Sequence, residues 1–467
     1  MTGMARALLI STYDLGHQPF GLASPAAWLK REGLTVHCAD LAKQTLDEDV
    51  VRQADLIAFH LPMHTATRMA APVIRTVQAL NPAAHICAYG LYAPLNADWL
   101  RTLGVDDVLG GEFEAELSAI GRAIASRIAV GAPAIPASGR ALPRLQFLTP
   151  DRSGLLPLSR YATLQMGDGT RRVAGYTEAS RGCRHLCRHC PVVPVYAGQF
   201  RVVQADVVLA DVAAQVSAGA GHITFGDPDF FNGPTHAMRI VERLHEAHPS
   251  LTYDVTIKVE HLLAHRELLS RLRDTGCLFV TSAVESIDDG VLAILDKGHT
   301  RQDFELAVAL CRGADLTLVP TFVAFHPWMS LGDYCELLDT LARLDLVDHV
   351  APIQLAIRLL VPSGSRLLEL DDVQSRVGAF DPTTLTYRWT HADPRVDQLQ
   401  EDVSALVGRR LTSHRREQFQ AIVELTYERA GRPAPAPMPV RASREVPQLD
   451  EPWYCCAEPN PEQLTLV

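Results

Sequence analysis

Apolar positions along this chain fall into short runs separated by stretches with helical spacing, and the alternation starts near the N-terminus. Ala5–Ser11 predicts a strand, and a loop with Gly16, Pro19 and Gly21 follows it. Ala23–Arg31 has helical spacing. Leu34–Cys38, Asp55–Leu61, His85–Gly90 and Asp106–Leu109 predict further strands, with a helix over Thr65–Leu80. Gly110-Gly111 closes the fifth strand ahead of an acidic helix start at Glu112. Strands alternating with helices predict a parallel, doubly wound, Rossmann-like sheet over residues 1–130. Ligands of such sheets bind beyond the carboxyl ends of the strands, where these glycines lie.

Residues 131–165, rich in Ala, Pro, Ser and Gly, predict a linker. A second β/α series fills 166–375, with strand-like runs at Arg172–Ala179, His222–Phe225, Thr252–Ile257, Cys277–Val284, Leu316–Ala324 and Ile353–Val361. Helical patterns such as Pro234–Glu246 and Arg301–Cys311 lie between them. Six units of this kind predict a partial (β/α)6 barrel, so the fold class is α/β. Residues 376–432 predict a helical region, with Val396–Ala430 as one helix whose basic residues Arg409, Arg410, Arg415 and Arg416 read as a solvated face. Residues 433–467 predict a proline-rich tether ending in Trp453-Tyr454-Cys455-Cys456-Ala457-Glu458-Pro459.

Composition narrows the function classes. An apolar fraction of 47% with 21% charged residues is that of a globular protein, not a disordered one. Asp+Glu 54 against Lys+Arg 43 gives a net charge of −11, so no nucleic-acid partner is expected. No apolar run is long enough to span a membrane, and the first residues lack the pattern of a signal peptide. The expected setting is cytoplasmic, where ten cysteines read as thiols, ligands or catalysts rather than disulfides.

Three of those cysteines carry the strongest signal: Arg181-Gly182-Cys183-Arg184-His185-Leu186-Cys187-Arg188-His189-Cys190, directly after the first strand of the second series. Soft thiolates select iron–sulfur clusters or zinc. Zinc in a structural site takes four protein ligands, and His185 or His189 is the available fourth. Three cysteines on a 4Fe–4S cluster instead leave one iron open to a substrate or cofactor. Cys38, Cys87, Cys277, Cys311 and Cys335 read as small buried hydrophobes. Asp254 and Lys258 read either as barrel-interior groups or as ends of a structural ion pair.

The CxxxCxxC run after the first barrel strand resembles that of the radical S-adenosylmethionine (SAM) superfamily. The resemblance implies a 4Fe–4S cluster on Cys183, Cys187 and Cys190, whose open iron binds SAM and whose electron cleaves a carbon–sulfur bond. Phe225-Gly226-Asp227-Pro228 resembles the family's glycine-rich stretch at the SAM amino group, though the usual run is closer to Gly-Gly-Glu-Pro. Val284-Glu285-Ser286 followed by Leu295-Asp296-Lys297-Gly298 resembles the segment whose glutamate-serine pair borders SAM, and Val361-Pro362-Ser363-Gly364-Ser365 the late turn of the barrel. This implies Gly226, Asp227, Glu285 and Ser286 as SAM contacts. A low-potential electron donor such as flavodoxin or ferredoxin, and a small-molecule substrate, are implied with them.

The front half resembles the cobalamin-binding domain found ahead of many such barrels. Gln18-Pro19-Phe20-Gly21-Leu22-Ala23, Thr65, Tyr89-Gly90 and Gly110-Gly111-Glu112-Phe113-Glu114 carry the likeness, which implies Thr65, Gly90, Gly110 and Gly111 as cobalamin contacts. The usual DxHxxG motif is absent, and His17 reads as an ordinary loop histidine. Relatives without that histidine include both cobalamin binders and empty scaffolds. The ending is similar to that of a radical SAM subgroup with a CUAEP or CCAEP tail, which implies Cys455 and Cys456 as catalytic thiols; the alternative is a pair of surface cysteines. Three functions stand open. One is cobalamin-linked methyl or other carbon transfer. Another is transfer of the 3-amino-3-carboxypropyl group of SAM to a thiol-held soft atom such as arsenite or selenium. The third is a non-catalytic thiol or metal sensor.

Overall fold

The computed structural model describes residues 4–130, 145–409, 414–437 and 446–450. The front part runs β1 (Arg6–Ser11), α1 (Phe20–Arg31), β2 (Thr35–Asp40), α2 (Glu48–Gln53), β3 (Leu56–His60), α3 (His64–Leu80), β4 (His85–Tyr89), α4 (Ala97–Thr102), β5 (Asp107–Leu109) and α5 (Phe113–Val130). Its five strands are all parallel, in the order β2-β1-β3-β4-β5. The central strands are apolar on both faces because helices cover both, as parallel sheets require. Two separate cores result, one around Leu8, Ile57 and Phe59, the other around Leu9, Leu22 and Tyr89. The order reverses between β1 and β3, which makes that point the crevice of the sheet.

The second part continues with β6 (Thr163–Gln165), β7 (Arg171–Thr177), β8 (Ser180–Gly182), α6 (Val193–Tyr196), β9 (Phe200–Val202), α7 (Ala205–Ser217), β10 (His222–Phe225) and α8 (Pro234–Ala247). After these come β11 (Thr252–Thr256), α9 (Val259–Ala264), α10 (Leu269–Asp274), β12 (Cys277–Glu285), α11 (Asp289–Leu295), α12 (Arg301–Gly313), β13 (Thr317–Phe322) and α13 (Leu331–Arg343). The chain closes with α14 (Asp371–Arg376), β14 (Val377–Asp381), β15 (Thr386–Trp389), α15 (Pro394–Arg409), α16 (Arg415–Arg429) and β16 (Gln448–Leu449). One sheet holds β13-β12-β11-β10-β7-β6-β16; β7 and β10 to β13 are parallel, while β6 is antiparallel to both β7 and β16.

Side chains alternate cleanly across this sheet. Ile223, Phe225, Tyr253, Val255 and Val280 enter the large core against the helices. The opposite face lines the concave side: Tyr176, Thr224, Thr256, Thr281, Ala283, Val319 and Thr321 are only half-buried there. A hollow edged with hydroxyls is the consequence.

Several expectations change. Ile353–Val361 is not a strand: a 3-10 turn forms at Pro352–Leu355, and only Phe325 and Arg358 form a parallel bridge. Pro352 has no N–H to donate, so the sixth rung shrinks to bonds around Phe325. The helix expected over Val396–Ala430 is two helices. Arg415 and Arg416 are not a solvated face: Arg416 Nε donates to Asp348 at 2.8 Å, and Arg415 to the Asp348 carbonyl at 2.8 Å. Residues 145–165, part of the expected linker, pack as a strap. Phe147 is buried, and Arg152 makes two bonds to Asp211, one to Gln18 and one to the Tyr176 carbonyl. Cys455 and Cys456 lie outside the described residues.

Candidate active site

The thiol loop begins where β8 ends. Gly182 has φ +74°, and a side chain there would collide with Tyr196 and the Gln199 carbonyl, so only glycine allows the sharp turn into Cys183. Cys187 is buried, and Cys183 and Cys190 are half-buried. Burial, with Cys187 and Cys183 close by, pushes the Cys190 thiol up to about 12, and burial raises Cys183 as well. Thiols become ligands when a cationic centre displaces their protons. Three soft donors on one loop fit a 4Fe–4S cluster with an open iron.

Two charged networks flank the loop. Glu285 ends β12 with φ +70°, a conformation that a non-glycine residue seldom holds without a reason. Its carboxylate lies 3.1 Å from His189 Nε2 and 3.3 Å from Lys297 Nζ. Burial acts to raise this carboxyl, but Lys297 and His189 outweigh it and hold it at about 2. Ser286 is buried beside it, its hydroxyl accepting from the Asp288 N–H. On the other flank, Asp229 Oδ2 lies 2.7 Å from His261 Nδ1 and 3.5 Å from His185 Nε2. Donor atoms of Cys183, His185 and Asp229 all fall within 4.8 Å of one another.

Gly226 stands where β10 ends. A Cβ there would lie 1.7 Å from the Tyr176 hydroxyl, so the ring and the backbone close on each other because position 226 is glycine. Asp227 turns to the loop's root: its carboxylate accepts from the Ala179 N–H at 2.9 Å and from the Ser180 hydroxyl. Burial raises it to about 7 against those bonds. It therefore braces the thiol loop and does not face the hollow. Asp254 is an interior group, bonded to His222 at 2.9 Å and Thr224 at 2.7 Å. Lys258 sits between Glu260 and His185.

The front residues are placed differently. Thr65 is fully buried in the first turn of α3. Gly90 has φ +112°, and a side chain there would meet the Leu61 carbonyl at 2.9 Å. One at Gly110 would meet Pro94 at 2.1 Å, and Gly111 has φ +64°.

Some residues here carry no sequence signal of their own. Arg181 is buried and forked onto Glu114, with Nη2–Oε1 2.7 Å and Nη1–Oε2 2.8 Å. His299 is buried with neither ring nitrogen hydrogen-bonded, beside Lys297 and Lys258. His17, read as a loop histidine, stacks 5.0 Å from the Tyr176 ring. The histidine-rich runs RHLCRH and EHLLAH were the available hint for the cluster of His185, Asp229 and His261.

Residues 177–341 match the family model of the radical SAM superfamily. The match covers the part of the chain that carries the thiol loop and Glu285. Among solved structures it is similar to the cobalamin-dependent S-adenosylmethionine radical enzyme OxsB with aqua-cobalamin and S-adenosylmethionine bound. That likeness has 13% identity and a TM-score of 0.70, and covers 91% of this chain and 72% of OxsB. It is also similar to the radical S-adenosylmethionine methyltransferase TsrM from Kitasatospora setae, with cobalamin and a [4Fe-4S] cluster bound. There the identity is 15% and the TM-score 0.56, with 73% of this chain and 74% of TsrM covered. Both likenesses give the overall fold: a Rossmann-like domain followed by a partial barrel. No curated protein sequence matches the chain. Among the described residues, no helix is long and apolar enough to cross a membrane.

Proposed function

We propose that this enzyme reductively cleaves S-adenosylmethionine and transfers a carbon group from it to a small-molecule acceptor at the mouth of the barrel. The observation that carries the reading is the tie between the thiol loop and the strained Glu285, whose carboxylate lies 3.1 Å from His189, next to Cys190. A 4Fe–4S cluster on Cys183, Cys187 and Cys190 supplies a single low-potential electron. Glu285, Ser286 and the backbone at Gly226 seat SAM. Lys297 holds the Glu285 carboxylate ionised and presents a cation toward Cys187 and Cys190. The electrons come from a donor such as flavodoxin or ferredoxin in a cytoplasmic setting.

Two routes exist for the carbon. In one, a methyl group passes by way of cobalamin, the cofactor named with OxsB and TsrM. In the other, the 3-amino-3-carboxypropyl group passes to a soft atom such as arsenite or selenium held by Cys455 and Cys456. For arsenite this route balances with two electrons. One breaks the sulfur–carbon bond and frees 5′-methylthioadenosine. The second, with a proton, returns the alkylated arsenic to the trivalent state as one oxygen leaves as water.

What favours the second route is the position and direction of β16. β16 pairs with β6, and Asp450 is tied to Thr163 through its own N–H and by its carboxylate to the Thr163 N–H and hydroxyl. Being antiparallel to β6, β16 runs in the same direction as β7, toward the end of the barrel that carries the thiol loop. Thr163 is level with Val173, and four residues of strand from there to Thr177 span roughly 13 Å. The five residues from Asp450 to Cys455 reach up to about 17 Å when extended.

The test is anaerobic: reconstitute the cluster, add SAM, a strong reductant and arsenite, and identify the nucleoside by mass. 5′-Methylthioadenosine supports the aminocarboxypropyl route. 5′-Deoxyadenosine together with S-adenosylhomocysteine supports the cobalamin route. No cleavage, in a protein that binds zinc at the triad, contradicts the proposal and favours the sensor.

A further inference from the structure

The crevice of a doubly wound sheet opens where the strand order reverses, here between β1 and β3. In this protein it is filled from within. His60, the last residue of β3, lies so close to Gly21 of α1 that a Cβ on Gly21 would stand 2.1 Å from the imidazole. Tyr89, the last residue of β4, donates its hydroxyl to the Gly21 carbonyl at 2.8 Å. Phe113 at the start of α5 lies 4.7 Å from the Tyr89 ring and 6.2 Å from that of His60. Above them the barrel contributes Arg181, whose guanidinium sits 5.7 Å from Phe20, 5.3 Å from Phe113 and 5.0 Å from Phe147, and is forked onto Glu114.

The glycines tell the same story. A ligand-binding glycine leaves a space that the ligand fills, yet the spaces at Gly21, Gly90 and Gly110 already hold His60, the Leu61 carbonyl and Pro94. The loop after β1 also reaches the barrel. It carries His17 onto Tyr176, and the Tyr176 hydroxyl rests on Gly226.

We infer that the front domain holds no cobalamin: its crevice is closed by the chain's own side chains and serves as a socket for Arg181, two residues before the first cluster cysteine. The inference rests on the proposed function only in taking the barrel as the catalytic part. The experiment uses the full-length, anaerobically reconstituted enzyme, incubated with excess hydroxocobalamin and passed through a desalting column. Bound corrinoid is then released with cyanide and measured by absorbance, and SAM cleavage is followed in the same sample. Less than about one cobalamin per twenty chains, with SAM still cleaved, is the expected result. One cobalamin per chain overturns the inference whether or not SAM is cleaved. Absence of both cobalamin and cleavage leaves the socket standing and counts against the proposed function alone.

Discussion

In the front sheet, β3 and β4 end in His60 and Tyr89, and both converge on Gly21; in the barrel, β10 and β12 end at Gly226 and Glu285, and the hollow beside them keeps half-buried hydroxyls. Both places are the carboxyl ends of parallel strands, where β/α folds bind ligands. One has aromatic rings and an ion pair across it. The other has a strained glutamate, three thiols on one loop and a buried histidine with no hydrogen bond. The lesson is that topology offers a site, and the size of the side chains at the strand ends decides whether it stays open.

The contrast is broken most completely at the thiols. Cys183→Ala should abolish SAM cleavage and lower iron per chain, while the front domain keeps its fold; iron assay, product analysis and circular dichroism check this together. Next in size, Arg181→Met should destabilise the protein by about 3–5 kcal/mol, because Glu114 and Glu178 lose a buried cation. Chemical denaturation measures it, and a loss under 1 kcal/mol would mean the socket is not closed as described.

Gly226→Ala sharpens the barrel side. Its Cβ would displace Tyr176, at about 1–3 kcal/mol of overpacking and with a higher KM for SAM. Adding Tyr176→Ala, which removes the colliding ring, should recover the KM for SAM. The smallest effect is on acid sensitivity. Burial, with Arg181 nearby, lowers His60 from 6.5 to about 3, so the folded protein keeps it neutral where the unfolded chain takes up a proton. Its contribution is fully present above about pH 6.5 and is lost as pH falls toward 3, at up to ~1.4 kcal/mol per pH unit. His60→Asn should flatten the stability-against-pH curve by up to that slope; an unchanged slope would mean the ring is hydrated.

Much of this was legible in the sequence, for identifiable reasons. Strand–helix alternation and the spacing of Cys183, Cys187 and Cys190 are local properties, and the elements and the loop follow from them. Glu285 was reached through its motif, although the pairing with Lys297 and His189 that holds it ionised was not. What the glycines do was not legible, because a glycine announces a space without saying what fills it; the spaces at Gly21, Gly90 and Gly110 are met by His60, the Leu61 carbonyl and Pro94. The bonds from Asp227 to Ala179 and Ser180 were not legible, since nothing in its run shows that the carboxylate meets the root of the thiol loop. Arg181 was invisible as a plug because Glu114 lies in another domain, and no local pattern links them. The sixth strand failed for a local reason that was readable, the proline at 352.

The most direct test of the central claim, that the triad holds a cluster with an iron open to SAM, is electron paramagnetic resonance on the reduced, reconstituted enzyme. Addition of SAM should shift the g-values of the reduced cluster signal in the wild type and leave Glu285→Gln needing a higher SAM concentration for the same shift. A cluster signal that SAM does not alter at any concentration, or a protein that holds zinc and no iron, would contradict the account.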